Sequence, residues 1–237
     1  MPVAIDLIRK LGTLGHHVVA SDTFRSAPGS HSRYAAEAVL TPSPRHDTWR
    51  FVQEVVEIVD RTPIDLIVPA FEEVFYLARH RALFPRSACF FPSLDTLLRL
   101  HDKGRLLELA RELDIRVPES TVVESPEALV REVGRRDQFF AKPVYSRGGV
   151  DLFTNAGPLA GAITVEDCRP SPSEPWIVQD FVAGLDVCTF SVVQHGKITG
   201  HSAYVHPREI EHAGGIVFES GGDRGVSRPH HRRSREV

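Results

Sequence analysis

The N-terminal part of the chain alternates between helical patterns and short apolar runs. Apolar residues recur at helical spacing over residues 4–14 and again over 49–59, where Asp47 is placed to cap the second helix. Apolar runs at 64–68 and 89–91 predict short buried strands. Strands that alternate with helices predict a parallel sheet with helices on its faces.

This alternation is typical of Rossmann-like domains, but the order in which the elements begin is not. A dinucleotide-binding unit starts with a strand and a glycine-rich turn, whereas this chain starts with a helical pattern. No G-x-G-x-x-G motif occurs. The hypothesis that this chain is a nicotinamide-dependent dehydrogenase therefore lacks its main sequence evidence.

From residue 93 the pattern changes to a mixture of helices and antiparallel strands. A short helix is predicted at 158–163. A hairpin is predicted at 187–204, with its turn at His195 and Gly196. The chain is therefore expected to combine an α/β domain with an α+β domain.

The last stretch, residues 221–237, contains many arginines, almost no apolar residues and no periodic pattern. It could contact nucleic acid or another partner, it could be disordered, or a change of reading frame near Gly221 could have replaced the natural continuation. The run is short and has no aromatic residues for base stacking, which favours the disordered tail.

Composition is that of a soluble globular protein. The 237 residues are 42% hydrophobic and 25% charged, and the net charge of −3 provides no positive field for a general nucleic-acid binder. No apolar run approaches the ~18 residues of a membrane span, and no basic segment precedes an apolar core as in a signal peptide. Three widely spaced cysteines predict a reducing compartment, and hence a cytoplasmic location, without a zinc motif.

Candidate chemistry is concentrated at residues 139–154. An apolar strand leads to Lys142, a turn-prone segment with Ser146, Gly148 and Gly149 follows, and a second strand-like run completes a hairpin. Glycines let backbone N–H groups approach an anion closely, and lysine adds a point charge suited to phosphate. Taken alone, this stretch is explained equally well by an ordinary hairpin with a surface lysine.

Two further segments carry suitable side chains. Lys103 follows Asp102 at the beginning of a predicted helix, where the helix dipole favours an anion. For Lys103 alone, a solvated helix lysine is the simpler explanation. Gln179 lies near the end of an apolar strand and Asp186 follows a glycine. An amide beside exposed backbone can bind the edge of an adenine, and a carboxylate can bind ribose hydroxyls.

The order of these motifs resembles the ATP-grasp superfamily, which includes D-alanine–D-alanine ligase, biotin carboxylase and the synthetase domains of carbamoyl phosphate synthetase. The resemblance is carried by DK at 102–103, by AKP with SRGG at 141–149 and by QDFVAGLD at 179–186. It implies a Rossmann-like pre-ATP-grasp domain lacking its first strand at 1–92, followed by an incomplete ATP-grasp domain at 93–220. The chain is thus expected to be truncated at both ends.

The resemblance also implies an ATP site built from two lysines, a glycine-rich loop and a strand end. By resemblance, the lysines contact the α- and β-phosphates, the loop lies over the β- and γ-phosphates, the strand end binds adenine and a final carboxylate binds ribose. In chain order these residues are Lys103, Lys142, Ser146, Gly148, Gly149, Gln179, Phe181, Val182 and Asp186.

Two other classes of phosphate-binding enzyme also combine a lysine with glycines. In a protein kinase the glycine loop precedes the lysine, and HRD and DFG motifs follow; here the order is reversed and neither motif occurs. The P-loop motif G-x-x-x-x-G-K-[ST] is also absent.

The usual ATP-grasp reaction joins a carboxylate to an amine or similar nucleophile through an acyl phosphate, with ATP and Mg²⁺ as cofactors. Family members hold the metal near an E-x-N-P-R-like run. No such run occurs in this sequence, so no metal ligand and no catalytic residue are assigned, and the chain alone is expected to be inactive. The alternative is a non-catalytic nucleotide-binding or degenerate regulatory module. The expected partners are ATP and a small-molecule carboxylate, with a second copy of the chain as a further candidate, but no nucleic acid and no membrane.

Overall fold

A computed structural model describes residues 2–85, 87–147, 151–185, 187–205 and 219–220. The chain divides into two units, Met1–His101 and Asp102–Val237. None of the helices in these ranges is both long enough and apolar enough to cross a membrane.

Within its described residues, the first unit contains four helices and two pairs of short parallel strands. β1 pairs with β2, and β3 pairs with β4. The β3–β4 pair lies at the apolar runs predicted to form strands, but the two pairs form separate sheets and not one sheet. β2 is not predicted by the sequence pattern. The elements are α1 (Pro2–Thr13), β1 (Val19–Asp22), β2 (Glu37–Leu40), α2 (Thr48–Arg61), β3 (Leu66–Ile67), α3 (Glu73–Arg79), β4 (Ala88–Cys89) and α4 (Leu94–His101), with 3₁₀ turns at Pro28–His31 and Arg81–Leu83.

The predicted start of α2 is confirmed. Asp47 adopts the N-cap position, and its carboxylate accepts a hydrogen bond from the Arg50 N–H at 3.1 Å. Behind this cap, α2 buries Val52 completely in the core of the first unit. Leu94 packs against the same core, so α4 lies within the first compact unit.

In the part of the second unit that the structure describes, there are two helices and two antiparallel sheets. Four strands pair in the order β5-β8-β6-β7, and three pair in the order β11-β10-β9. The elements are α5 (Lys103–Glu112), β5 (Ser120–Val123), α6 (Pro126–Val133), β6 (Phe139–Pro143), β7 (Phe153–Thr154), β8 (Trp176–Asp180), β9 (Val187–Gln194), β10 (Lys197–Val205) and β11 (Glu219–Ser220), with a 3₁₀ turn at Val165–Asp167.

Both predicted hairpins are present. β6 and β7 pair antiparallel, with Ala141 opposite Phe153. β9 and β10 are joined at His195 and Gly196, whose φ angles of 49° and 74° are those of a turn matched to the twist of its strands. The mixed α+β character of this unit is therefore as expected.

The predicted helix at 158–163 is wrong. This segment forms turns, and the only helical structure near it is the 3₁₀ turn at Val165–Asp167. Gly157 and Gly161 flank most of the segment with φ angles of 75° and 76°, which a right-handed helix cannot accommodate.

Candidate functional site

Strand alternation gives the four-stranded sheet one apolar face and one mixed face. On the apolar face, Phe139, Ala141 and Val178 pack into the core of the unit. The register places Lys142 opposite Ile177, and directly opposed residues point to the same side of a sheet. Lys142, and every second residue counted from it along the strand, therefore lie on the other face.

Lys142 is half-buried on this mixed face. Its ammonium group lies 5.1 Å from the centre of the Phe140 ring, one side chain away on the same strand face. Burial lowers the pKa of Lys142 below its usual value. Within the ranges that the structure describes, this ammonium makes no hydrogen bond and no ion pair. It is thus a cation without an anionic partner there.

Lys103 begins α5 and lies against the turn that follows β6. Its ammonium donates to the carbonyl of Val144 at 2.8 Å and to the carbonyl of Ser146. Burial lowers the pKa of Lys103, and the positive charge of Lys142 lowers it further, while Asp102 acts in the opposite direction. The two lysines are therefore close enough to repel each other.

Asp102 caps α5 and contacts the same turn. Its carboxylate accepts from the Arg105 N–H at 3.1 Å and from the Tyr145 hydroxyl at 2.9 Å. Burial alone would raise the pKa of Asp102, but these hydrogen bonds outweigh it and hold the pKa below its usual value. Gly104, two residues after Asp102, leaves little room for a side chain, because an added Cβ would lie 3.2 Å from the Asp102 carboxylate and 3.3 Å from the Val122 side chain.

Ser146 belongs to the turn that leads into the glycine-rich loop. Its N–H and its hydroxyl both donate to the carbonyl of Pro143, at 3.3 and 2.9 Å. The structure therefore brings together three of the predicted phosphate-binding residues, Lys103, Lys142 and Ser146. Gly148 and Gly149 lie outside the described residues.

The predicted adenine-binding residues lie on β8 and just beyond it. Gln179 is opposite Phe140, so it shares the mixed face with Lys142, and its amide donates to the Ser120 hydroxyl at 3.0 Å. The N–H of Phe181 donates to the Gln138 carbonyl at 3.1 Å. Of the two backbone polar groups of Phe181, the carbonyl is therefore the one that can contact a ligand. Val182 is 69% exposed.

Asp186, the predicted ribose ligand, lies outside the described residues. Where the structure describes the chain, no group of three or more His, Cys, Asp or Glu side chains is placed to hold a metal ion. The residues described do not form a magnesium site, and none is assigned as a ligand.

No family model and no curated protein matches this sequence, but solved structures do. Staphylococcus aureus N5-carboxyaminoimidazole synthetase, solved with ADP, aligns over 88% of this chain at a TM-score of 0.63 and 11% identity. An L-amino acid ligase from Bacillus licheniformis aligns over 86% at 0.60 and 12%. The biotin carboxylase domain of 2-oxoglutarate carboxylase from Hydrogenobacter thermophilus, solved with MgADP, aligns over 79% at 0.55 and 14%.

All three of these structures are of ATP-grasp proteins. The chain has the ATP-grasp fold. The alignments cover 53%, 49% and 44% of the three solved chains, so the chain spans about half their length. The resemblance drawn from the sequence motifs is thus confirmed at the level of the fold. At these identities the likeness concerns the fold, and the Rossmann-like character of the first unit stays a prediction.

Proposed function

We propose that this ATP-grasp chain binds ATP on the mixed face of its four-stranded sheet, with the phosphates at Lys103 and Lys142. One observation carries the proposal: two half-buried ammonium groups lie near each other, and Lys142 has no anionic partner within the described residues. Holding two cations together in a partly dehydrated place is unfavourable unless an anion neutralises them. A polyphosphate provides several closely spaced negative charges that could neutralise both lysines.

The position of Lys103 supports a phosphate rather than a simple counter-ion. Lys103 is the first residue of α5, and the N-terminal end of a helix carries partial positive charge. Ser146 lies in the turn that Lys103 contacts, and the proposed loop residues Gly148 and Gly149 follow that turn in the sequence. We assign these residues to the β- and γ-phosphates.

The adenine is assigned to the end of β8. Gln179 lies on the same sheet face as Lys142 and two positions further along β8 than Ile177, the residue opposite Lys142. The carbonyl of Phe181 and the exposed backbone of Val182 supply edge contacts for the base, and we assign Asp186 to the ribose.

We propose ATP-dependent joining of a small carboxylate to an amine or similar nucleophile as the parent activity, with an amino acid or a small peptide as the first carboxylate to test. The L-amino acid ligase among the matched structures supports this class of reaction. Magnesium would arrive with the nucleotide, since it is usually bound through phosphates with few protein ligands. A nucleotide-binding module without turnover is the alternative.

The proposed organisation follows the sequence assignment. We assign residues 1–92 to a Rossmann-like pre-ATP-grasp domain and residues 93–220 to the ATP-grasp domain, and we expect the protein in the cytoplasm. A homodimer is one candidate assembly, supported by the dimer named for the matched biotin carboxylase domain.

The binding site is tested by removing each lysine. Lys142→Ala should weaken ATP binding by about 1.5–3 kcal/mol, because it removes a charge-assisted contact from a cation that no described protein group neutralises. Lys103→Ala should weaken it less, since part of the bonding capacity of Lys103 goes to the Val144 and Ser146 carbonyls. Calorimetric titration with MgATP measures both effects.

Lys197→Ala is the matched control. Lys197 is an exposed lysine at the beginning of β10, so its loss changes the net charge equally without touching the proposed site. Equal ATP affinity for the wild-type protein, Lys142→Ala and Lys197→Ala would contradict the site assignment.

A further inference from the structure

A cavity opens beside the carboxyl ends of β1 and β2 in the first unit. The two strands are parallel and end together, with Asp22 opposite Leu40. Thr23 and Phe24 follow β1, residues 41–43 follow β2, and α2 forms the third wall of a cavity of about 660 Å³. Ligands of open α/β sheets commonly bind just outside the carboxyl ends of the strands, and pockets for small molecules measure roughly 300–1,000 Å³. Position and size therefore suit a small ligand.

Hydrogen bonds fix the two loops that follow the strands. Thr41 is buried, its N–H donates to the Asp22 carbonyl at 3.0 Å, and its hydroxyl lies 3.0 Å from the Ser21 hydroxyl. The N–H of Phe24 donates to the Asp22 carboxylate at 3.1 Å. The protein itself thus holds the walls in place, which reduces the entropy that a ligand must lose in ordering them.

Most of the cavity lining is apolar. Phe24, Leu40 and Pro42 all contribute to it. Phe24 is 69% exposed and Leu40 is 45% exposed, so much of the surface of both side chains is in contact with water. Covering apolar surface of this kind with an apolar group is favourable. The cavity is therefore suited to a ligand that carries an apolar group.

α2 contributes one positive and one negative side chain to the same wall, Arg50 and Glu54. Residues four positions apart are neighbours on one face of a helix, and arginine before glutamate is the less favourable order for an ion pair. Within the part of the chain that the structure describes, neither the guanidinium nor this carboxylate makes a hydrogen bond or an ion pair. Both groups therefore retain their bonding capacity for a ligand.

The position of Arg50 favours a bound anion. Arg50 lies in the first turn of α2, and this turn contains no acidic residue. The N-terminal end of a helix carries partial positive charge, which disfavours a cation and attracts an anion. The Asp47 carboxylate is used to cap the helix, where it accepts from the Arg50 N–H. A carboxylate ligand suits the guanidinium above it, because its two oxygens can bond the planar group together.

We propose that the cavity binds an α-amino acid with an apolar side chain. Its carboxylate binds Arg50, its ammonium group binds Glu54, and its side chain lies against Phe24 and Leu40. Charge complementarity selects this class of ligand, since opposite charges close together on one small molecule match opposite charges one helical turn apart. The proposal goes beyond the nucleotide site and does not depend on it, because every residue that it uses belongs to the first unit.

The test uses L-phenylalanine and three analogues that each lack one of its groups. L-Phenylalaninamide lacks the carboxylate, 3-phenylpropionate lacks the ammonium group, and glycine lacks the apolar side chain. Titration of the full 237-residue chain with L-phenylalanine, followed through its backbone amide NMR signals, should give saturable shifts at the cavity residues. Each analogue should bind about tenfold more weakly, the equivalent of one charge-assisted or apolar contact.

Two variants assign the charges. Arg50→Gln should weaken L-phenylalanine binding about tenfold and leave L-phenylalaninamide binding unchanged, because that analogue has no carboxylate to bind. Glu54→Gln should likewise weaken L-phenylalanine binding and leave 3-phenylpropionate binding unchanged. Arg45→Gln and Glu57→Gln are the matched controls, since both residues are exposed and neither lines the cavity. Both controls should bind L-phenylalanine as the wild-type protein does.

Three results would overturn the proposal: no binding of L-phenylalanine to the wild-type protein, amide shifts confined to residues outside the cavity, or equal affinity for L-phenylalanine and 3-phenylpropionate. Loss of L-phenylalanine and L-phenylalaninamide binding to the same extent in Arg50→Gln would overturn the role of Arg50. MgATP titrations of the same samples are read separately. A failure to bind ATP would contradict the nucleotide site alone, because the residues assigned to it lie in the second unit.

Discussion

Lys142 illustrates how a single residue can serve binding at the expense of stability. Its pKa in the folded chain lies below the usual value because burial disfavours the charged form. The unfolded chain therefore binds the proton more tightly, and the charged lysine opposes folding at neutral pH. An anion at this position would reverse that penalty.

Lys142→Met should consequently stabilise the free protein while abolishing its contribution to ATP binding. Methionine keeps an unbranched apolar side chain without the charge, and we expect the free energy of unfolding to rise by about 1 kcal/mol near pH 7. Urea denaturation measures the change. The advantage over wild-type protein should shrink as pH rises towards the lysine's unfolded pKa of about 10.4, because the wild-type lysine then loses its charge in both states.

A stability of Lys142→Met equal to or below that of wild-type protein at pH 7 would argue against an uncompensated cation. Lys197→Met is the suitable comparison. Lys197 is exposed on β10, so its replacement removes a lysine charge without relieving the cost of burying one.

At the scale of elements, Arg136 joins α6, β5 and β8. Its side chain is only 9% exposed and donates to Glu132 at 3.2 Å, to Asp180 at 3.1 Å and to the Thr121 hydroxyl. Asp180 is the last residue of β8, directly before Phe181. The ion network therefore fixes the end of the strand from which the proposed adenine contacts follow.

The network makes stability depend on pH. Burial alone would raise the pKa of Glu132, but the hydrogen bond from Arg136 and the charges of Arg135 and Arg136 outweigh it and lower the pKa. A lowered carboxyl pKa contributes stability above the unfolded pKa of about 4.3, and this contribution is lost as pH falls through the folded value.

Glu132→Gln should therefore destabilise the protein at pH 7 by about 2–3 kcal/mol, since it leaves the enclosed Arg136 charge only partly compensated. The difference from wild-type protein should narrow as pH falls below the unfolded pKa of about 4.3, and it should vanish only below the lowered folded pKa, where the wild-type carboxyl is neutral in both states. Urea denaturation at both pH values tests this. Exposed Glu57→Gln on α2 controls for loss of a negative charge, and a difference that does not change with pH would contradict the argument.

Elements with strong local signals could be predicted from the sequence. Asp47 begins a helix because its side chain satisfies a free N–H group, and the His195–Gly196 turn follows from the alternating pattern on either side of it. β2 was missed because Glu37–Leu40 is too short to show alternation and depends on pairing with β1.

The candidate site could be predicted only in part. DK and AKP identify Lys103 and Lys142, but their proximity depends on tertiary packing that no local pattern records. Tyr145 was missed for the same reason: its partner Asp102 lies 43 positions away, and nothing in the flanking residues indicates that contact.

At the scale of the whole molecule, we propose that these 237 residues taken alone bind nucleotide without ligating a substrate. The sequence contains no E-x-N-P-R-like run to orient magnesium against the γ-phosphate, and transfer of that group depends on neutralising its charge from more than one side. Incubation with MgATP, amino acids and an amine acceptor should yield no ligated product. Release of ADP in proportion to product, at a rate abolished by Lys142→Ala, would prove this wrong.

The strand order β5-β8-β6-β7 also dictates when the site can form during synthesis. β5 and β6 are not bonded to each other; both pair with β8, which is made last of the three. At ~5–20 residues per second, the ribosome needs a few seconds to proceed from the end of β6 to the end of β8. Until Trp176–Asp180 leaves the exit tunnel, Lys142 lies on the β6–β7 hairpin, and the edge of β6 that pairs with β8 has no partner strand. The nascent chain is therefore most exposed to mispairing in that interval, and the sheet closes only when its central strand arrives.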